Sequence, residues 1–308
     1  MPDELRLISL LSSATEIIHA LGLGAQQVGR SHECDFPNAV ISLPICSRPN
    51  IPVNGSSREI DSLVRERAAE AISIYDLDSD LIARLRPTHV VTQTQCKVCA
   101  VSLEDVERAL RQRTDTDAQI ISLEPHALHD VWDDIRRVAE ACGRPAEAER
   151  LIERLQQRMG EIEERASKAE RCPTVATIEW VEPLMVAGNW IPELIQKANA
   201  TNLFGTGGQH SPYIEWDEIV AADPEVVIAF PCGFDMERTR TELYWLTEQS
   251  GWANLRAVRE GRVYYCDGNQ FMNRPGPRLV ESLQILAEIL HPDLFPPVFE
   301  HSGWQRLV

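Results

Sequence analysis

Two stretches of this chain carry the same order of signals. Leu81-Ile-Ala-Arg-Leu-Arg-Pro-Thr-His-Val-Val-Thr and Glu218-Ile-Val-Ala-Ala-Asp-Pro-Glu-Val-Val-Ile-Ala each run from a helix end through a proline into a short apolar segment. Proline cannot continue a helix, and the residue before it is biased away from helical geometry. Each stretch therefore predicts a helix stop followed at once by a buried strand. A helix that carries the chain back to begin the next strand in the same direction builds a mostly parallel sheet. With the pattern present early and again late, the chain is expected to build two related α/β lobes.

The segments around these stretches agree. Leu7-Ile-Ser-Leu-Leu predicts a strand, and Ser12-Ser13-Ala14-Thr15-Glu16 offers a capping box with Ser13 as cap and Glu16 three residues on. Ile17, Ile18 and Leu21 give that helix an apolar face, and Gly22 and Gly24 stop it. Val28-Gly-Arg starts a second strand, and Gln119-Ile-Ile-Ser-Leu reads as another. The middle of the chain differs. Leu128, Val131, Trp132, Ile135, Val138, Ala139 and Cys142 recur at helical spacing. After Gly143-Arg-Pro145 a second helix runs to about Lys168, with Leu151, Ile152, Leu155, Met159 and Ile162 on one face. At 1.5 Å per residue it would span about 36 Å, and its periodicity marks a rigid spacer rather than a Gly/Ser-rich linker. Beyond Cys172-Pro173 the strand and helix signals restart at Thr174-Val-Ala-Thr-Ile. The expected fold is α/β: two Rossmann-like lobes with mostly parallel central sheets, residues 1–126 and 171–308, joined by a long rigid bridging helix within 127–170.

Composition narrows the partners. The 308 residues hold 47 acidic and 30 basic side chains, a net charge of −17. Nucleic-acid binding is driven mainly by cationic contacts to phosphate, so duplex DNA or RNA is excluded as a partner. No run of 18 apolar residues occurs, so no transmembrane segment is expected. The N-terminus has no basic region, apolar stretch or cleavage site of signal-peptide type. The chain as written is thus expected in the cytoplasm, or in the periplasm if a leader has been removed. Eight cysteines in a chain of this size point to free thiols or metal ligands before a disulfide framework.

Ligands of α/β lobes sit beyond the carboxyl ends of the strands. The predicted ends fall at 12–16, 31–35, 93–100, 179–190, 231–235 and 267–278. Ser13, Thr15 and Glu33 supply polar groups there, and His32, Cys34, Cys96, Cys99 and Cys232 supply soft donors. The two-residue spacer of Cys96-Lys-Val-Cys99 suits two thiolates on one tetrahedral ion, zinc or another transition metal, and equally a redox pair. Plain packing of small buried thiols is the third alternative. Trp180, Trp190, Trp216, Phe234 and Phe271 gather at the same loop ends and suit the faces of a bulky apolar ligand, or else cap the sheet core. In Phe271-Met-Asn-Arg-Pro-Gly-Pro-Arg278, Asn273 and Arg274 could orient a ligand by hydrogen bonds. Gly205-Thr-Gly-Gly208 lacks the lysine of a phosphate loop and reads as a turn. No nucleophile–base–acid set declares itself, so an enzyme is the weakest reading.

Over residues 5–290 the chain resembles the class III substrate-binding proteins of ABC transporters for cobalamin, haem and iron–siderophores. The resemblance rests on Arg6-Leu-Ile-Ser-Leu-Leu-Ser-Ser-Ala-Thr-Glu-Ile, the proline–strand element at 85–92, the helix of 145–168, Trp216-Asp-Glu-Ile-Val-Ala-Ala-Asp-Pro, and Gly261-Arg-Val-Tyr. It looks closest to the cobalamin-binding branch. The resemblance implies a non-catalytic protein that holds a corrinoid, cobalamin-like or other metal-chelate ligand between its lobes. It also implies docking on an ABC transporter permease through one carboxylate per lobe, for which Asp80 and Asp217 or Glu218 match by position. The chain departs from the family in lacking a leader and in its cysteine-rich loops. A cytosolic metal-handling or redox protein with a Cys/His site is the alternative.

Overall fold

A computed structural model describes residues 4–70, 73–94, 103, 105–107 and 118–307. By their contacts these fall into two compact units, one of residues 1–55, 59–125 and 129–154, the other of 56–58, 126–128 and 155–308.

In the first unit, strands β1 (Leu7–Ser9) and β2 (Gln27–Arg30) pair in parallel around helix Ser12–Ala20. A small antiparallel pair follows, β3 (Ser47–Pro49) with β4 (Tyr75–Leu77). Strands β5 (His89–Gln93) and β6 (Gln119–Leu123) complete a four-stranded parallel sheet in the order β2-β1-β5-β6. Ile8, Leu10, Val90 and Ile82 bury its core. The expected capping box at Ser13 does not form. The first helix starts at Ser12, its cap is Leu11 with no side-chain bond, and Ser13 and Glu16 lie buried inside the helix. Burial of this face against the sheet outweighs the gain from a surface cap, worth only about 1 kcal/mol.

The second unit holds β7 (Thr174–Val181), β8 (Leu184–Val186), β9 (Thr201–Asn202), β10 (Val226–Ala229), β11 (Val263–Cys266) and β12 (Trp304–Arg306). Their order is β12-β11-β10-β7-β8, with β9 on β7. The central β11-β10-β7-β9 pairings are parallel, and β12 and β8 are antiparallel to their neighbours. The core gathers Ile178, Val227, Ala229 and Leu246 with Trp252.

The two proline elements match down to backbone angles. Helix Ser79–Leu85 ends on Arg86 at φ 45°, ψ 62°, and helix Trp216–Ala222 ends on Asp223 at φ 44°, ψ 61°. Each left-handed residue turns the chain into its proline and then into a central strand. Between the two sheets in chain order come helices Leu128–Ala141 and Pro145–Ala166. The latter is an unbroken 22-residue helix, about 33 Å long, that takes its first half from one unit and its second half from the other.

Candidate functional site

At the carboxyl edge of the first sheet the chain turns out of β2 through residues 31–45, and the buried Arg30 side chain shapes that turn. Its Nη1 donates to the carbonyls of Ser31 and Cys34 at 3.1 and 3.0 Å, and its Nη2 to that of Ile41 at 3.1 Å. A sheet edge supplies no partners for these carbonyls, and one guanidinium fork satisfies three of them. The turn presents His32. Its Nδ1 lies 3.4 Å from Ser47 Oγ, its Nε2 lies 3.8 Å from a Glu33 carboxylate oxygen, and its ring is 5.6 Å from that of Tyr75. Burial lowers the His32 pKa, the nearby Arg30 charge acting the same way and a bond at Ser47 opposing it. His32 is therefore neutral at pH 7, with a quarter of its side chain exposed. A neutral, partly open imidazole can ligate a metal or accept a hydrogen bond.

Three other expected residues of this edge point inward. Ser13 is buried, Thr15 and Cys34 are fully so, and Thr15 Oγ1 donates to Cys34 Sγ at 3.0 Å while accepting from Gln27 Nε2 at 3.3 Å. These groups are spent within the unit, which corrects the expectation that they face a ligand. Glu33 stays half-buried beside His32. Cys96 and Cys99 lie outside the described residues.

The far side of the same edge holds a polar network. Thr94 Oγ1 donates to Glu124 and accepts from Ser122 Oγ at 3.1 Å. The Glu124 amide donates to Asp134 Oδ1 at 3.3 Å, and Arg137 pairs with Asp134 and donates to the Ser122 carbonyl at 3.0 Å. Burial pushes the Asp134 carboxyl up to about 7, against the pull of the Glu124 amide and Arg137. Sequence reasoning passed over Asp134. Its signal was there: with Val131 and Val138 it falls on the apolar stripe of helix Leu128–Ala141, where a carboxylate is out of place.

At the carboxyl edge of the second sheet the aromatic residues divide. Trp180 is half-buried, packs 5.1 Å from Phe234 and donates from Nε1 to the Glu182 carbonyl. Arg238 covers the other part of Phe234, 4.3 Å from its centroid. Trp190, Phe234 and Phe271 are buried, and Trp190 Nε1 donates to the Met272 carbonyl at 3.0 Å. Trp216 stacks 6.0 Å from Trp252 and donates to the Ser250 carbonyl. Three of the five rings, Trp190, Phe234 and Phe271, are thus buried, and Trp180 and Trp216 are half-buried.

Beyond β11, Asp267 caps a single π-helical turn, Gly268–Met272, by accepting from the Gln270 amide at 2.6 Å. Burial raises the Asp267 pKa, opposed by the Gln270 and Asn269 amides and by Arg274. Gly268 is required there, since a Cβ would sit 2.1 Å from the Pro231 carbonyl oxygen. Asn273 Nδ2 donates to the Phe230 and Gly268 carbonyls, both at 3.1 Å. Arg274 is 3% exposed and donates to Asn269 Oδ1 at 3.0 Å. These two were expected to orient a ligand; instead they bind loop carbonyls and side chains, because the turn leaves those acceptors inside.

The loop after β8 is fastened by main chain. The Asn189 amide donates to the Gln209 carbonyl at 2.6 Å, the Gly208 amide to the Asn189 carbonyl, and the Gly188 amide to Ser211 Oγ, which itself donates to Glu179 at 2.8 Å. Gly205 and Gly208 take φ of +72° and +75°, and a Cβ on Gly205 or Gly188 would lie 2.1 or 2.4 Å from a carbonyl oxygen. The segment 205–208 is a turn, as its sequence indicates.

Among the described residues, no group of three His, Cys, Asp or Glu side chains converges as a metal site. Of the expected set of His32, Cys34, Cys96, Cys99 and Cys232, two cysteines lie outside the described residues; among the others, Cys34 is sealed in the core, and Cys232 is half-buried with its amide donating to the Glu179 carbonyl. Burial lifts the Cys46 and Cys142 thiols to about 12 and 11, so both stay protonated and pack as apolar groups.

With this geometry in place, residues 7–270 match the model of the periplasmic binding protein family. The chain belongs to that family. It is similar to an uncharacterized ABC transporter substrate-binding lipoprotein, YvrC, of Bacillus subtilis, 21% identical over 94% of this chain and 81% of that protein. It is as similar to the vitamin B12-binding protein of Pectobacterium atrosepticum, 21% identical over 94% of this chain and 90% of that one. Among solved structures, the periplasmic haem-binding protein RhuT of Roseiflexus superposes with a TM-score of 0.68 at 21% identity, covering 94% of this chain and 98% of that one. The fold is that of two-lobed class III periplasmic binding proteins. No helix among the described residues is long and apolar enough to cross a membrane. The relatives' names place them in the periplasm or on a lipid anchor, which leaves the cytoplasmic expectation without support and fits its periplasmic alternative.

Proposed function

We propose that this periplasmic binding protein captures a bulky metal chelate, a cobalamin-like corrinoid first and haem or an iron–siderophore after it, and passes it to an ABC transporter permease outside the cytoplasm. The observation that carries the reading is His32: a neutral, partly exposed imidazole at the carboxyl edge of the first sheet, backed by Tyr75 and Ser47. Such a group is suited to the metal of a tetrapyrrole, while Trp180 at the edge of the second sheet offers an apolar ring face. Capture is steric and apolar, with no bond made or broken in the ligand. Zinc held by the cysteines finds no support among the described groups.

Docking falls to Asp80 and Asp217. Each is the exposed second residue of its helix, and the two helices are the matched pair that end on Arg86 and Asp223. Glu218 is less suited, because its carboxylate accepts from the Glu215 amide at 3.0 Å in a capping box.

Titration of the protein with cyanocobalamin, cobinamide and hemin, followed by absorbance and by retention on gel filtration, tests the ligand. Retention with one of them and a spectral change that His32→Ala removes are expected. If none of the three is retained, the corrinoid and haem readings fail. For docking, Asp80→Ala/Asp217→Ala should keep ligand binding and lose stimulation of the reconstituted transporter; unchanged stimulation would reject these two positions.

A further inference from the structure

The second unit holds a cavity of about 380 Å³, and none of the residues described at the two sheet edges lines it. Small-molecule sites enclose about 300–1,000 Å³, so the space suits a compact ligand. One wall comes from the end of helix Met236–Glu242 and from helix Tyr244–Thr247. The other comes from β11 and the end of the chain. Antiparallel pairing sets Tyr265 of β11 opposite Gln305 of β12 and brings the next two residues, Arg306 and Leu307, to the cavity.

Among the described residues, two cations line this space and no carboxylate does: Arg240 from the helix and Arg306 from the edge strand. In a chain of net charge −17, an anion is repelled by most of the surface and drawn to such a spot. Nearby arginines are engaged with acids: Arg238 faces Glu242, and Arg256 faces Glu225 and Glu260. Arg240 has no carboxylate at ion-pair distance among the described residues. Burial raises the Tyr265 pKa and the Arg240 charge opposes that rise, so guanidinium and phenol share the space.

Two hydroxyl protons at the cavity are already spent. Tyr265 donates to Gln305 Oε1, and Thr241 Oγ1 donates to the Arg238 carbonyl at 2.7 Å. The strongest donors lining the cavity are therefore the two guanidinium groups, whose planar forks match carboxylate or phosphate oxygens. Two cations suit a phosphate monoester, which carries about −1.5 to −2 at pH 7, better than a singly charged carboxylate. Tyr244 is 41% exposed and, with Leu243 and Leu307, adds apolar surface for a ring.

We propose that this cavity is a second binding site, for a small phosphate monoester that carries a ring: Arg240 and Arg306 hold the phosphate, and the Tyr244 and Tyr265 rings flank the body. The site does not depend on chelate capture and stands whether or not that reading holds. Both arginines are exposed, so salt screens them, and a Kd at or below about 1 mM is expected in dilute buffer.

The full chain is titrated with phenyl phosphate by isothermal calorimetry at neutral pH in a dilute buffer free of phosphate. One equivalent should bind, and Arg240→Gln/Arg306→Gln should weaken binding at least about tenfold. Arg171→Gln/Arg259→Gln removes the same charge from residues that do not line the cavity and should bind as wild type does. An equal loss there would reduce the effect to net charge and overturn the site. Benzoate and inorganic phosphate should each bind more weakly than phenyl phosphate. Equal binding of benzoate overturns the phosphate assignment, and equal binding of inorganic phosphate overturns the part given to the rings. Absence of phenyl phosphate binding at about 1 mM overturns the proposal as a whole. Should the double variant fail to fold, modification of Arg240 by phenylglyoxal is followed by mass spectrometry in wild-type protein. Protection by phenyl phosphate supports the site, and an unchanged rate at Arg240 overturns it.

Discussion

A buried guanidinium does more for the first sheet edge than its single charge suggests. Arg30 donates to three carbonyls of the 31–45 turn, and that turn presents His32. Hydrogen bonds to charged groups contribute about 1.5–3 kcal/mol each, and removing the donor leaves partly buried acceptors unpaired. Arg30→Met should therefore lower unfolding stability by about 3 kcal/mol in urea titrations. A loss below about 1 kcal/mol would mean that water replaces the guanidinium freely. At this scale the sequence was a poor guide. It showed which residue types gather at strand ends, but Thr15, Cys34, Asn273 and Arg274 proved to be tied up by partners within their own units. A short polar side chain at a strand end faces inward or outward according to which backbone groups the loop leaves unpaired, and that depends on partners far along the chain. Arg30 and Asp134 were missed for the converse reason: a charge that is expected on the surface becomes structural once burial surrounds it with acceptors or donors.

Elements were more legible than residues, because each depends on local signals. The proline stretches produced the matched helix stops, and the 3.6-residue period located helices Leu128–Ala141 and Pro145–Ala166 to within two residues. The short strands β3, β4, β9 and β12 carried too few residues to show a period, and all four sit at sheet margins or in the small pair. Two predictions belong here. Left-handed backbone costs a residue with a Cβ about 1 kcal/mol, so Arg86→Gly should stabilise the first unit by about 0.5–1 kcal/mol. The matched change Asp223→Gly should not, because Asp223 Oδ1 also accepts from the Arg256 amide at 2.7 Å. Equal responses in chemical denaturation would contradict that distinction. Within helix Pro145–Ala166, Gly160 has ordinary helical geometry and open space where a Cβ would lie. Gly160→Ala should then add about 1 kcal/mol, measured in the same way.

For the whole molecule, the two-unit α/β plan followed from a repeated element separated by a continuous helix, and the net charge of −17 bears on stability rather than fold. Ion pairs such as Arg136 with Glu149 and Asp133, or Arg171 and Arg256 with Glu225, offset the excess only locally. An acidic chain repels itself, and salt screens that repulsion over about 10 Å at 0.1 M. Raising sodium chloride from about 0.01 to about 0.15 M should therefore raise Tm by a few degrees at pH 8. A fall in Tm would show that exposed ion pairs outweigh self-repulsion.

The main-chain fastening of the loop after β8 limits how that loop can move. Gly188, Asn189, Gly205 and Gly208 bring two backbones together with no side chain between them. Side chains can change rotamer and give way by small steps; directly bonded amides and carbonyls have no such slack. The 187–190 and 205–211 segments should consequently travel as one piece, like two plates joined by rivets. Displacing them takes the loss of several hydrogen bonds at once, so this corner of the second unit keeps a shape already set.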